Sequence, residues 1–262
     1  MSVTCDDLRL GGTLSSSGIS GGTSINSTAI MVSDWAGLFG TAGITGQALE
    51  VNGRPGVLYG GDFLGRGRFF NLNMQMTRYG PNKTLVEATP QEQLQANTDD
   101  FLQLLTVPET YLEVDMPDGT SRFLQVTNLD PAYMSKATKV RQIAPPLVAD
   151  WPYWRQGGQE ETDTISGADT ITVGGDKSVY DPVLVFAGDG TFTHNALGWS
   201  IEVTGSGGAV TVDLGNRTVT EGGNPALNRI RRSDRDWGWF TVGSNSVTTD
   251  VSVVVTWRSQ FV

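Results

Sequence analysis

The chain of 262 residues holds one histidine, His194, and one cysteine, Cys5. A Ser-His-Asp or Cys-His arrangement uses an imidazole as its base, so nucleophilic chemistry of that kind must run through His194. His194 stands in Phe192-Thr193-His194-Asn195, at the expected end of a strand, while Cys5 lies near the N-terminus in the other half of the chain. The two are not expected to cooperate. A zinc site would have to surround His194 with carboxylates alone, so no metal site is expected. A lone cysteine allows no disulfide within the chain, which fits folding in a reducing cytoplasm or indifference to redox state.

Paired carboxylates are the other route to hydrolysis, as in glycosidases. The candidates are Glu113, Asp115 and Asp118 around one hairpin, and Glu202 and Asp213 in the second half. Each falls at an outward-facing or turn position and reads as a solvated surface acid. The glycine-rich stretch Gly60 to Gly67 invites comparison with a phosphate loop, but Arg66-Gly67 stands where Lys-Ser/Thr is required. Arg229, Arg231, Arg232 and Arg235 fall within seven residues and suit phosphate contacts. Asp234 and Asp236 are interleaved with them, so a salt-bridged loop is expected, able to set register at an oligomer interface. Of the tryptophans in the second half, Trp199 and Trp257 are in phase with apolar strand faces and read as core. Trp237 and Trp239 share one face of an expected strand and are the candidates for stacking on sugar rings. No catalytic residue and no cofactor is expected. The candidate partner or interface residues are Arg66, Arg68, Asp118, Arg231, Arg232, Trp237 and Trp239.

The elements that carry these residues follow from composition and period. Glycine numbers 33 and charged residues make up only 18%, which predicts many short strands joined by tight turns. The formal charge is −10. Residues 1–156 hold 15 acidic and 11 basic side chains, net −4, and residues 157–262 hold 13 and 7, net −6. Neither half offers a basic footprint for tight nucleic-acid binding, and an acidic wall facing DNA suits a conduit. No run of about 18 apolar residues predicts a membrane span. The first thirty residues include Asp6, Asp7 and Arg9 and lack the apolar block of a signal peptide.

Along the chain, Gly11 to Thr28 is rich in Gly, Ser and Thr and reads as a flexible arm or a weakly packed edge. Phe70 to Thr77 alternates apolar and polar residues without a break, as a half-buried strand requires. One helix is predicted over 90–107: Thr89 as N-cap, Pro90 at the first helical position, Glu92 closing a capping box, and Pro108 ending it. Leu94, Phe101, Leu102 and Leu105 fall on one face of it. A hairpin follows, with Leu112, Val114 and Met116 alternating, Pro117-Asp118-Gly119 turning, and Phe123 to Thr127 returning. A strand around Thr138 to Ile143 leads to the aromatic cluster Asp150-Trp151-Pro152-Tyr153-Trp154-Arg155. Gln156 to Thr164 carries no period and reads as a linker, so the domains are set at 1–156 and 157–262. In the second, strands at about ten-residue spacing predict a sandwich. They lie at Ile171–Val173, Val183–Phe186, Trp199–Thr204, Val210–Leu214, Trp237–Val242 and Val251–Trp257.

The order of these elements resembles the distal tail proteins of long, flexible-tailed phages (siphophages), often called minor tail proteins in phages of actinobacteria. The resemblance runs from Asp6-Asp7-Leu8-Arg9-Leu10 through Asn52-Gly53-Arg54-Pro55-Gly56, Gly65-Arg66-Gly67-Arg68, the capped helix and the aromatic close of the first domain. It continues with Val210-Thr211-Val212-Asp213, Asn216-Arg217-Thr218-Val219 and Trp239-Phe240-Thr241-Val242-Gly243-Ser244-Asn245. It implies a mainly β chain. The N-terminal domain would be a ring-forming β-sandwich or split barrel with one added helix, and the C-terminal domain a galectin-like β-sandwich on the periphery. It implies a virion structural protein at the tail tip, made in the host cytoplasm. The expected assembly is a homo-oligomeric, hexameric ring between the tail tube protein and the hub or tail-associated protein of the baseplate. Tape-measure protein and DNA would pass through it without sequence-specific contact. His194-Asn195-Ala196-Leu197 does not continue to the arginine of sugar-binding galectins, so the implied fold does not imply sugar binding. A carbohydrate-binding module gripping the host envelope through Trp237 and Trp239 is the alternative. The Gly11–Thr28 arm and the Leu112–Thr127 hairpin are candidates for adding strands to a neighbour's sheet.

Overall fold

The computed structural model describes residues 8–25, 30–34, 48–50, 57–59, 68–71, 73–79, 90–106, 110–128, 140–149, 151, 153–232 and 237–261. The chain is mainly β and divides into two compact units, Met1–Gly158 with Val262, and Gln159–Phe261.

In the first unit the Pro117-Asp118-Gly119 turn organises the main sheet. Asp118 Oδ1 accepts hydrogen bonds from the Thr120 amide at 2.9 Å and the Thr120 hydroxyl at 2.6 Å, and Gly119 takes φ 81°, open to glycine at little cost. The turn sets Thr110–Asp115 against Ser121–Asn128, with Leu112 opposite Leu124 and Val114 opposite Arg122. Leu8–Leu10 pairs with the outer side of Thr110–Asp115, and Thr23–Ser24 pairs with Leu8–Leu10. On the other side Ser121–Asn128 pairs with Trp154–Gln156 and, through Thr127 and Asn128, with Pro146–Ala149, which in turn pairs with Arg68–Asn71. Among the described residues, strands of its own chain therefore lie along both flanks of the hairpin, on the outer side of Ser121–Asn128 at Arg122, Phe123, Thr127 and Asn128.

The Gly/Ser/Thr-rich N-terminal stretch is likewise folded where it is described. Thr13–Ser15 and Gly18–Ser20 form a hairpin, and Ile25 is wholly buried. Its glycines supply turns that a side chain would obstruct: a Cβ on Gly18 would stand 2.4 Å from the Gly157 carbonyl oxygen. Of the two readings, the edge fits rather than the arm: after the hairpin, Thr23–Ser24 is the outer strand of the main sheet among the described residues; residues 26–28 lie outside them. The period-two run from Phe70 to Thr77 is also not one strand. Arg68–Asn71 joins Pro146–Ala149, whereas Asn73–Met76 joins Ile30–Asp34 and Arg141–Ile143 in a separate three-stranded sheet. Alternation reports which face a residue takes and not which partner it pairs with, so a chain crossing from one sheet to another keeps the pattern.

The helix spans Pro90–Leu105, two residues short of the expected end; Thr89 and Pro108 lie outside the described residues. Its buried side is Leu94, Asn97, Thr98, Phe101 and Leu105, with Leu102 half-buried. Asn97 belongs on this face because its Nδ2 donates to the carbonyls of Thr77 (2.8 Å) and Tyr79 (3.0 Å), tying the helix to the end of the Asn73–Met76 strand.

The second unit is a two-sheet sandwich. One sheet runs Glu161–Ile165, Val253–Trp257, Val183–Phe186, Val210–Asp213, Thr218–Glu221, Asn224–Pro225. The other runs Ala168–Val173, Gly243–Thr249, Gly190–His194, Ser200–Val203, Ile230–Arg232. Alternate residues of both sheets point inward to a shared core that includes Leu184, Phe186, Val212, Val253 and Val255 from one, and Ile171, Phe192, Ile201 and Val247 from the other. Phe186, Phe192 and Phe240 are wholly buried, each contributing about 2–3 kcal/mol by transfer alone. Trp199 and Trp257 are in the core, as their phase predicts.

Two expectations fail in this unit. The segment read as a linker contains the strand Glu161–Ile165, paired along its length with Val253–Trp257. Glu161 accepts hydrogen bonds from Trp257 Nε1 at 3.0 Å and from the Ser259 hydroxyl, so its polar residues serve an edge strand. The strand expected over Trp237–Val242 is only a single bridge, Phe240 to Val179. Gly238 takes φ 76°, and a Cβ there would lie 2.5 Å from the Trp199 indole. The backbone turns at Gly238 to let that ring in, which ends any extended run.

Candidate functional site

The wholly buried polar centre of the C-terminal sandwich joins His194 to Asn245. His194 ends its strand and is 1% exposed; Asn245 lies within Gly243–Thr249 and is 0% exposed. The Leu197 amide donates to His194 Nδ1 at 3.2 Å, so the ring proton sits on Nε2, which donates to Asn245 Oδ1 at 3.0 Å. The same oxygen accepts from the Thr241 amide (2.9 Å) and hydroxyl (3.0 Å). Asn245 Nδ2 donates to the carbonyls of Thr241 (2.8 Å) and Gly243 (2.9 Å). Trp199 and Phe240 enclose the imidazole at ring separations of 5.6 and 5.7 Å. With both nitrogens engaged and no open face, His194 cannot serve a dissolved substrate as a base while the sandwich is closed. What the pair does is fasten two turns, 194–198 and 241–245, to the same sheet.

Four of the five carboxylates singled out from the sequence, Glu113, Asp115, Asp118 and Asp213, are also engaged. Glu113 is buried, contrary to its expected place on the surface. Opposite Arg9 in the strand register, it accepts from Arg9 Nη1 at 3.2 Å, while Arg9 Nη2 reaches Asp115 at 2.5 Å. The reason is that burial here runs Leu112, Glu113, Val114 without alternation, so both faces of this central strand are covered. Asp118 shapes its turn; hydrogen bonds from the Thr120 hydroxyl and then its amide hold its carboxyl below the usual range. Asp213 closes a turn by accepting from the Asn216 amide and side chain, both at 2.8 Å. Glu202 stands opposite Arg231.

A second polar cluster fixes the loop 205–208, which sequence reasoning did not identify. Asp189 accepts from the Ser206 hydroxyl (2.5 Å), the Ser206 amide (2.7 Å) and the Gly205 amide (2.8 Å), and these bonds, in that order, lower its pKa. Glu221 accepts from the Gly207 amide and, at 3.0 Å, from Arg229 Nε; the Gly207 bond is the main cause of its lowered pKa.

The interface candidates are scattered through the fold. Arg66 lies outside the described residues. Arg68 opens a strand opposite Ala149, and Asp118 is at a hairpin tip. Arg231 and Arg232 belong to the edge strand Ile230–Arg232, where a salt-bridged loop was expected, and Arg229 pairs with Glu221. Asp234, Arg235 and Asp236 lie outside the described residues, as does Cys5. Trp237 is half-buried against the core, and Trp239 is half-buried and stacked on Tyr180 at 6.0 Å with its carbonyl accepting from Trp199 Nε1. Among the described residues no group of three or more His, Cys, Asp or Glu side chains could hold a metal ion, and no helix is long and apolar enough to cross a membrane.

No family model matches the chain, and no curated protein sequence does. Among solved structures it is similar to the crystal structure of the SPP1 Dit (gp 19.1) protein, presented as a paradigm of the hub adsorption apparatus in phages that infect Gram-positive hosts. The TM-score is 0.60 over 97% of this chain and 99% of that one. The chain has a Dit-like fold. Sequence identity is 11%, so the likeness lies in the arrangement of elements and not in shared side chains.

Proposed function

We propose that this chain is a structural protein of a phage tail tip. The observation that supports it most is that the likeness to the Dit protein extends over nearly the full length of both chains. A fold alone does not assign a function, but a match of both units in order is a more demanding coincidence than a match of one sandwich. In this reading the protein forms a ring, hexameric by the resemblance in its sequence. The ring joins the tail tube to the hub and leaves a passage for the tape-measure protein and DNA. The tail belongs to a long-tailed phage, of the actinobacterial type. The chain has no catalytic role, and the C-terminal unit is a peripheral, galectin-like sandwich. The acidic balance of the chain, −10 overall, supports a passage that DNA crosses without adhering.

Native mass spectrometry of the purified full chain, alone and mixed with the tail tube protein of the same phage, tests the assembly. Six-fold multiples, in either condition, are expected. A monomer in both conditions contradicts the ring.

A further inference from the structure

Among the described residues, the C-terminal sandwich ends on one flank in two strands that pair on one side only, and both carry the same device. Glu161–Ile165 is the outer strand of one sheet and Ala168–Val173 the outer strand of the other, joined by Ser166-Gly167. An outer strand turns alternate amides away from its sheet, where a strand from another molecule can bind them. The ladder identifies these amides. Thr249 N–H donates to the Gly167 carbonyl, so in the register Asp169↔Val247 and Ile171↔Asn245 the odd-numbered residues bond inward, and Ala168, Thr170 and Thr172 face out. Ala187 N–H donates to the Ser252 carbonyl, so Val254 and Thr256 bond toward Val183–Phe186, and Thr164 and Thr162 opposite them face out.

On each edge one outward amide is already taken by the aspartate before it. The Thr164 amide donates to Asp163 Oδ1 at 2.8 Å, and the Thr170 amide donates to Asp169 Oδ1 at 2.7 Å. An incoming strand would have to displace the carboxylate from the amide and strip water from its charge. The opposite flank is closed differently: Asn224–Pro225 is two residues long and Pro225 has no N–H, and Ile230–Arg232 is three residues long with Arg231 exposed.

We infer that Asp163 and Asp169 block strand addition along this flank, and that the partner they exclude is a second copy of this chain. Contacts made by the C-terminal unit then run through its faces and turns.

The test compares the full-length parent with Asp163→Ala/Asp169→Ala and with Asp163→Asn/Asp169→Asn. Sedimentation velocity measures self-association beyond the parent's own state, and hydrogen exchange locates it. The alanine pair is expected to associate about tenfold more strongly for each cap removed, the factor of a single hydrogen bond to a charged group. In its associated species the amides of Thr162, Thr164, Ala168, Thr170 and Thr172 should gain protection. The asparagine pair keeps the acceptor without the charge and should fall between the parent and the alanine pair. Single Asp169→Ala, at an exposed position, reports if the double variant fails to fold. The inference is overturned if the folded alanine variants do not associate, if protection appears elsewhere, or if the asparagine pair associates as strongly as the alanine pair.

Discussion

Replacing Asn245 with alanine would open the buried centre of the C-terminal sandwich. The change strands His194 Nε2–H, the Thr241 amide and hydroxyl, and the carbonyls of Thr241 and Gly243, in a place the protein shields from water. A buried polar group left without its partner costs about 1–3 kcal/mol. Some of these groups are only part-buried and will recruit water, so a loss of about 3–5 kcal/mol is expected, a large share of a typical domain's stability. The exposed comparator is Asn195→Ala, which removes bonds of 3.0 Å to the hydroxyls of Ser246 and Thr248 and should cost under about 1 kcal/mol. Hydrogen exchange in mild urea, read on peptides covering Val183–Phe186 and Val253–Trp257, reports the C-terminal unit by itself. A His194→Leu variant completes a double-mutant cycle, with a coupling to Asn245 of about 1–3 kcal/mol. Equal losses from Asn245→Ala and Asn195→Ala, or a coupling near zero, would refute the view that this pair fastens the two turns.

Gly238→Ala should cost about 2 kcal/mol or more and alter tryptophan emission, since the residue has φ 76° and its new methyl would meet the Trp199 indole; an unchanged melting temperature would contradict this. Arg9→Ala takes a charged partner from buried Glu113 and from Asp115 and should destabilise the first unit by about 1–3 kcal/mol in urea titration, with Arg9→Lys recovering only part. The folded pKa values of Asp189 and Glu221 lie below their unfolded values, so the stability they add is present above the ordinary carboxylate range and lost as pH falls through the lowered values. Amide signals of Gly205, Ser206 and Gly207 should therefore shift together on acidification to the low side of that range; a loop released on raising pH instead would reverse the assigned sign.

Features fixed by local chemistry were legible in the sequence. Pro117-Asp118-Gly119 named its turn because a short side chain and a glycine satisfy that backbone locally, and Pro90 marked the start of the helix. Pairing was less legible. The alternation through Phe70–Met76 gave no sign that two sheets share it. No strand is legible over Gly243–Thr249, because its inward residues are Asn245, Val247 and Thr249, only one of them apolar. Trp237-Gly238-Trp239 read as a strand because the demand on Gly238 comes from Trp199, 39 residues away. The central pair was beyond sequence spacing altogether: His194 and Asn245 are 51 residues apart and meet only because their strands are neighbours.

Electron cryo-microscopy of intact virions, with the full chain tagged or gold-labelled at one terminus, locates the protein in the particle. Label is expected to be confined to the tail tip, as a ring between the end of the tube and the hub, with density that accepts both units of this fold. Label on the head or along the tube, or virions that assemble complete tail tips without this chain, would contradict it.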